Sequence, residues 1–163
     1  MGRPRITIKG VEEELLRPPL SADDPRLVDV PRELTFKARR LHHKVLEPLR
    51  AMLDEAIGDG LPPLRVSGAW TPQRFSTVQN FRDYIRREYG SKGHLWLKFR
   101  GVYESGLAID LVNDDMGLTR KPSTRSESYR WLEENAERFG FVPGPRLGSW
   151  VLTLEDSEFE AVP

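Results

Sequence analysis

Residues 101–111, GVYESGLAIDL, are the most informative stretch of the chain for chemistry, and they contain the phenol of Tyr103 and the carboxylates of Glu104 and Asp110. Asp110 and Glu104 could bind a hard cation through their oxygens, and His94 could add a nitrogen. The spacing of these three residues matches no common metal-binding pattern. It favours an exposed carboxylate at Glu104 and a strand-start histidine at His94. We interpret Asp110 as a polar side chain satisfied by backbone N–H groups or by an arginine.

The three histidines give little further support to metal binding. His42 and His43 are neighbours in a predicted helix, so their side chains point about 100° apart and cannot chelate one ion together. No histidine follows Asp110 in the chain. The chain also lacks cysteine, which excludes disulfides, thiolate zinc sites and thiol catalysis.

Positive and negative charges balance over the 163 residues, with 25 Lys and Arg against 25 Asp and Glu. This balance gives no broad attraction to nucleic acid or to an anionic membrane, and we interpret the basic clusters at 39–44 and 82–92 as solvated helix faces. The first residues, MGRPRITIKG, lack the apolar core of a signal peptide. No stretch approaches the roughly 20 apolar residues of a membrane span. We therefore expect a protein that stays in the cytoplasm or leaves it by a route that the sequence does not encode, and that binds neither nucleic acid nor membrane.

Two amphipathic helices are predicted in the first half of the chain, where apolar residues recur every three or four positions. The first covers 35–57 and contains Pro48, which should kink it or begin its second half. The second covers about 77–89 and stops at Gly90.

A third helix is predicted from a capping box of Thr124 and Glu127 to a stop at Gly140, with a buried stripe running from Tyr129 to Phe139. Alternating or apolar runs predict strands between the helices. These strands lie at 61–68, 94–99, 107–112 and 149–154, with a short one near 6–9.

The length suits one domain with its own core. Residues 1–33 are rich in proline and have no sustained period, which indicates an arm laid over the core or reaching a partner. The domain itself is placed at 34–154, and the acidic tail at 155–163 is expected to fray or to lie on the surface. The order of the elements predicts an α+β fold in which a small antiparallel sheet packs with three main helices.

Gly106, Ala108 and Asp110 have the spacing of a known motif, S-x-H-x-x-G-x-A-x-D. In this the chain resembles the VanY-type D-alanyl-D-alanine carboxypeptidases and other LAS zinc metallopeptidases. Further blocks follow in the family's order, namely KVLEPLRAML, PLRVSG and SYRWLEENAERFGFV. The likeness covers about 35–154 and implies the LAS (VanY/Hedgehog-like) peptidase fold. It also implies an ancestry in the cleavage of peptidoglycan stem peptides.

The family's functional positions fall on residues that mostly differ from those of the enzymes. The family's first zinc ligand, a His, falls on Tyr103, whereas the second falls on Asp110 and is retained. A neutral phenol is a poor zinc ligand compared with imidazole. The family's closing E-P-W-H carries the general base and the third ligand, and Gly148 and Val151 stand there around a retained Trp150.

Trp70 stands where the family's S-G-Y-R segment has the Arg that is expected to stabilise substrate charge. With Tyr103, Trp150 and Val151, it makes the ancestral cleft bulky or apolar where the enzymes are polar. We prefer the interpretation that these side chains fill the cleft as packed core. The other interpretation is an aromatic pocket that binds a ligand without cutting it.

The resemblance therefore implies a degenerate member with no zinc cofactor and no catalytic residues, in which Asp110 is the single surviving ligand. We expect a binding or structural component that contacts a protein partner or an assembly. A phage or phage-tail-like assembly and cell-wall peptides are the two candidate settings. The alternative is an active zinc-dependent peptidoglycan peptidase, of D,D-carboxypeptidase or L,D-endopeptidase type, with an unconventional metal site.

Overall fold

The computed structural model describes residues 5–8, 11–14, 18–72, 87, 101–113 and 126–163. The strands are β1 (Arg5–Ile8), β2 (Val11–Glu14), β3 (Leu27–Asp29), β4 (Arg40–His42), β5 (Arg65–Gly68), β6 (Ala108–Val112), β7 (Phe141–Pro143) and β8 (Ser149–Leu152). The helices are α1 (His43–Gly58), α2 (Glu127–Asn135) and α3 (Asp156–Glu160), with 3-10 turns at Arg32–Leu34 and Ala136–Phe139. No helix in these ranges is both long and apolar enough to cross a membrane.

A four-stranded antiparallel sheet forms the centre of the fold, in the order β5-β6-β8-β7. β6 lies inside this sheet and its apolar residues are buried, which explains its nearly continuous hydrophobic sequence. Asp110 is the one charged residue of β6 and is partly exposed. The sheet therefore holds a carboxylate in the middle of an otherwise apolar strand.

The first predicted helix begins later than the periodicity indicates. Residues 40–42 form β4, which pairs with β3 in the register Leu27↔His42, and α1 starts only at His43. His42 is the N-cap, since its Nδ1 accepts a hydrogen bond from the Lys44 N–H at 3.1 Å. The prediction of a helix from residue 35 is thus wrong. The helix continues through Pro48 to Gly58.

The third predicted helix is present, but its start differs from the prediction. Ser126, not Thr124, is the N-cap, and its hydroxyl oxygen accepts from the Tyr129 N–H at 3.0 Å. The helix passes into a 3-10 turn at Ala136 and stops at Gly140, as predicted. The stripe from Tyr129 to Phe139 packs on the core, and Trp131 adds a buried face that the stripe did not include.

Part of the proline-rich segment belongs to the folded body. Leu20, Leu27 and Val30 are buried in the core, and β3 pairs with β4. The Leu20 N–H donates to the Glu104 carbonyl oxygen at 2.9 Å. Glu104 itself is 2% exposed, so the expectation of an exposed carboxylate there is wrong.

The acidic tail is anchored instead of frayed. It forms the short helix α3, and Phe159 is buried with its ring stacked on His42 at 5.1 Å between centroids. His42 Nε2 lies 2.8 Å from the Phe159 carbonyl oxygen and His43 Nε2 lies 2.6 Å from that of Ala161. The two histidines therefore hold the tail.

The α+β class is confirmed, and the described residues form small antiparallel sheets and three helices. The predicted strands near 6–9, 61–68, 107–112 and 149–154 correspond to β1, β5, β6 and β8. The predicted helix at 77–89 and the strand at 94–99 lie outside the described residues, apart from Arg87.

Candidate functional site

The turn that precedes β6 brings Tyr103 onto Asp110. Backbone hydrogen bonds close this turn, from Ser105 N–H to Gly101 O at 2.9 Å and from Gly106 N–H to Tyr103 O at 3.0 Å. The phenol then lies beside the strand, where its O–H donates to Asp110 Oδ1 at 2.6 Å. This is a short hydrogen bond of the kind that a carboxylate acceptor forms. The residue that aligns with the family's first ligand position is thus bonded directly to Asp110.

Arg146 approaches the same carboxylate from the turn between β7 and β8. Its guanidinium nitrogen lies 3.8 Å from Asp110 Oδ2, and its guanidinium carbon lies 4.8 Å from the centre of the Tyr103 ring. Ser149 holds this turn, because its hydroxyl donates to the Arg146 carbonyl oxygen at 2.7 Å and accepts from the Arg146 N–H at 3.0 Å. Asp110 therefore has a phenol at one oxygen and an arginine near the other.

Burial sets the ionisation of this pair. It raises the pKa of Asp110 above its usual value, although the Tyr103 hydrogen bond and the charges of Arg146 and Arg39 oppose the rise. Burial, followed by the charge of Asp110, raises the pKa of the Tyr103 phenol far above its usual value. Tyr103 consequently keeps its proton at any physiological pH and acts as a hydrogen-bond donor.

A polar recess of about 200 Å³ opens beside the Tyr103–Asp110 pair. Gly68 allows the carboxylate to lie against β5, since a Cβ at this position would collide with Asp110 Oδ2. Arg39 extends along the recess and donates from a terminal nitrogen to the Ser67 carbonyl oxygen at 3.0 Å. The recess is lined by Arg39, Ser67, Gly68, Ala69, Thr71, Tyr103, Asp110 and Arg146.

The bulky residues assigned to the ancestral cleft have separate surroundings. Trp150 and Val151 are buried in the core of the sheet, 2% and 3% exposed, and neither lines the recess. Trp70 is half-buried, with its indole N–H donating to the Leu20 carbonyl oxygen at 3.2 Å and Arg40 over its ring at 5.6 Å. Only Tyr103 of this set borders the recess. The interpretation as packed core thus holds for Trp150 and Val151. The recess that remains is polar, and Tyr103 provides the aromatic ring among its described lining residues.

Gly148, at the position of the family's general base, has a backbone that favours glycine. Its φ is +85°, in the left-handed region, where a side chain costs about 1–2 kcal/mol. Its carbonyl oxygen accepts from the Leu111 N–H at 3.1 Å, which fixes the turn against β6. A glutamate here would be strained before it reached Asp110.

The donors around Asp110 do not fit a zinc ion. Zinc in peptidases is held by nitrogen, sulfur or carboxylate ligands, usually three from the protein. Of the two ligand positions besides Asp110, 103 offers a protonated phenol and 151 offers no donor atom. Among the described residues, no group of three His, Asp or Glu side chains could hold a metal. His42 and His43 point their Nε2 atoms at the tail, and His94 lies outside the described residues.

Arg39 and Arg146 line the recess, although the sequence did not indicate them as site residues. Arg39 was interpreted as part of a solvated helix face, but it precedes α1 and lines the recess, so that interpretation is wrong. Arg146 follows a proline-glycine turn, and no spacing in the sequence relates it to Asp110. The one signal that could have indicated either residue was the expectation that an arginine would pair with the Asp110 carboxylate.

Comparison with known proteins identifies relatives of this domain. No family model matches the chain. A D-alanyl-D-alanine carboxypeptidase of Enterococcus faecalis is 32% identical over 130 residues, which cover 72% of this chain and 46% of the relative. The chain therefore spans about half the length of this curated relative.

Solved structures of similar fold are also peptidases. The LdcB LD-carboxypeptidase superposes with a TM-score of 0.59 at 16% identity, covering 95% of this chain and 86% of the other. VanY from the VanB-type resistance cassette, in complex with Zn(II), gives 0.52 at 20% identity, with 82% of each chain covered. VanYB in complex with D-alanine-D-alanine gives 0.52 at 19%, covering 85% and 83%. By sequence and by fold, the chain belongs to the VanY-type family of LAS peptidases.

Proposed function

We propose that this chain is a catalytically inactive VanY-like domain that acts as a binding or structural component. The observation that carries the proposal is the hydrogen bond of 2.6 Å from the Tyr103 phenol to Asp110 Oδ1. A zinc ligand must offer a lone pair to the metal, whereas the residue at the position of the family's histidine uses its O–H as a donor to Asp110 Oδ1. Arg146 faces the other oxygen at 3.8 Å.

The chemistry of hydrolysis supports the same conclusion. A peptidase of this type needs a metal that lowers the pKa of a bound water, and a base that takes the proton. Position 151 carries an isopropyl group and position 148 has no side chain, so both requirements lack a donor atom. The retained Gly106, Ala108 and Asp110 then serve the fold, because Asp110 ties the turn at Tyr103 to β6.

The recess beside Asp110 is the part of the molecule that we propose binds a ligand. It carries two guanidinium groups against one carboxylate, which suits a small ligand with a carboxylate of its own. VanYB has been seen with D-alanine-D-alanine, and LdcB recognises peptidoglycan. A cell-wall peptide is thus the ligand class that we propose here, held without cleavage. A phage or phage-tail-like assembly is the proposed setting in which such a domain meets a cell wall or a protein partner.

Metal content and product release test the proposal directly. The purified protein is incubated with excess Zn²⁺, dialysed and analysed for metal, with a zinc-binding VanY-type enzyme as control. We expect far less than one zinc per chain and no release of D-alanine from a stem-peptide analogue. Stoichiometric zinc, or D-alanine release that a chelator abolishes, would establish the alternative of an active peptidase with an unconventional site.

Binding is measured separately from catalysis. The protein is sedimented with purified peptidoglycan sacculi, and Arg39→Ala is compared with wild type. Retention of the wild type that weakens in the variant supports binding in the recess. A wild-type protein that stays in the supernatant would rule out the cell-wall ligand and leave the structural role.

A further inference from the structure

A second and larger recess lies next to the Asp110 recess, on the other side of Arg39. It has a volume of about 400 Å³ and follows the segment between β3 and β4. Its lining includes Asp29, Arg32, Thr35, Phe36, Lys37 and Arg39. We call it the Phe36 groove. None of the residues carried over from the family motif lines it.

The wall of the Phe36 groove is held in place by Thr35. The Thr35 hydroxyl donates to the Lys37 carbonyl oxygen at 2.6 Å and lies 3.1 Å from that of Val66, while the Phe36 N–H donates to Val66 O at 3.3 Å. These bonds tie the loop to β5. The groove is therefore preorganised, which lowers the entropic cost of binding a ligand.

Phe36 presents an apolar surface at the rim of the groove. It is 40% exposed and is the only aromatic among the large exposed apolar side chains of the described ranges. The guanidinium carbon of Arg65 lies 5.5 Å from the centre of its ring, so a cation and an aromatic face are offered together. Such a pair is suited to a ligand that carries both a negative charge and a hydrophobic group.

The cations at the groove form no ion pair with the residues that the structure describes. Within the described part of the chain, Arg32, Lys37 and Arg65 form no ion pair, whereas Arg26, Arg50 and Arg138 elsewhere each do. Arg39 forms no ion pair within 4.0 Å either, and its Nε is buried without a hydrogen-bond partner among those residues. The lining thus holds three cations against the single carboxylate of Asp29, in a protein of zero net charge.

We propose that the Phe36 groove is a docking site for an acidic peptide segment of a partner protein. Carboxylates of the segment would pair with Arg32 and Lys37, and an apolar side chain would pack on Phe36. Asp29 favours a peptide over a nucleic acid, because a peptide has backbone N–H donors between its acidic side chains and Asp29 can accept from one of them, whereas the backbone of a nucleic acid has a phosphate at each residue and no N–H donor. The proposal does not depend on whether Asp110 binds a metal.

Fluorescence anisotropy tests the groove with a labelled peptide of alternating Glu and Phe, compared with its Gln and Phe counterpart. The test variant is Arg32→Glu/Lys37→Glu, in which both exposed cations are reversed. The matched control is Arg130→Glu/Arg138→Glu, which changes the net charge equally at exposed positions outside the groove lining. A third variant, Phe36→Ser, removes the aromatic contact without changing charge.

We expect the acidic peptide to bind the wild type and the Gln counterpart to bind much less. The groove double variant should weaken binding about tenfold or more, and the control by no more than about twofold. Phe36→Ser should weaken it as well, and added salt should reduce the affinity. Thermal melting of each variant verifies folding.

Several results would overturn the proposal. These are equal binding of the two peptides, equal loss in the groove and control variants, and tighter binding of a single-stranded oligonucleotide than of the acidic peptide. Sedimentation that shows a dimer lost only in the groove variant would assign the groove to a second copy of this chain instead. None of these outcomes alters the zinc or D-alanine measurements, so the two proposals fail separately.

Discussion

Tyr103 and Asp110 form a partly buried donor–acceptor pair whose members depend on each other. We expect Tyr103→Phe to lower the free energy of unfolding by about 1–3 kcal/mol, because Asp110 would keep its burial and lose its donor. Urea denaturation measures the loss. Tyr129→Phe is the control, since the hydroxyl of this half-buried residue makes no described hydrogen bond. Equal losses in the two variants would contradict the importance of the pair.

Asp110→Asn should have the opposite effect at neutral pH. Burial raises the pKa of Asp110, so the folded state holds its proton more tightly than the unfolded state does. The contribution of Asp110 to stability is therefore complete at acid pH and is lost as the pH rises through the folded-state pKa. An amide avoids this loss and still accepts from Tyr103.

We expect Asp110→Asn to match or exceed the stability of the wild type at neutral pH, by up to about 1 kcal/mol. The difference should shrink or reverse in acid, where the wild-type carboxyl is protonated. Denaturation of both proteins across a pH series checks this. A variant that is much less stable at neutral pH would show that the charged carboxylate is required, as it would be around a bound cation.

The sequence predicts one part of this site, Tyr103 and Asp110, but not the two arginines beside them, and the reason is physical. Tyr103 and Asp110 lie seven residues apart in one motif, so their proximity follows from local spacing. Arg146 and Arg39 reach Asp110 through two different loops. The pairing of β6 with β8 brings the Arg146 turn to Asp110, and hydrogen bonds from the segment before β4 to β5 bring Arg39 there. Such long-range contacts leave no periodic signal in the sequence.

Helix α3 is the element whose importance was least expected. Phe159 is 1% exposed, and it stacks between His42 and the guanidinium of Arg26. We expect Phe159→Ala to cost about 3–5 kcal/mol, the usual range for a buried phenylalanine. Val162→Ala, at a side chain that is 61% exposed, is the control and should cost almost nothing. Thermal or urea unfolding measures both, and a small loss at Phe159 would mean that the tail is only loosely held.

The elements were predicted well where the pattern was local and poorly where it was not. β6 and the stop of the third helix at Gly140 follow from an apolar run and a single glycine. The false helical start at 35 arose because Ala38, Leu41 and Val45 fit a helical period, although Leu41 belongs to a strand that pairs with β3. The acidic tail looked solvated because most of its residues are charged or polar. The burial of one ring, that of Phe159, outweighs this tendency.

At the scale of the whole molecule, the proline-rich segment bears on where the folded domain begins. Residues 1–33 were predicted to be an arm laid over the core or reaching a partner, and Leu20, Leu27 and Val30 contribute to the core itself. Loss of three such side chains removes roughly 6–15 kcal/mol, which equals the total stability of a typical domain.

Deletion of residues 1–33 should therefore abolish cooperative unfolding. Deletion of residues 1–17 retains every core residue that the structure describes, and it should leave a folded protein. Circular dichroism melts of the two truncated proteins distinguish the cases. If the shorter chain, beginning at residue 34, melts like the wild type, the segment is an arm after all.

The backbone at Gly148 has a consequence for the history of this domain. On the proposed inactive role, a mutation to glutamate there carries a conformational cost at once and, with valine at 151, still leaves the third ligand position without a donor atom. We expect selection to remove such a mutant before a histidine could arise three residues later. A return to hydrolysis would therefore need several simultaneous changes, whereas each change at the surface can be tried alone, and we propose that this favours evolution of the surfaces that bind.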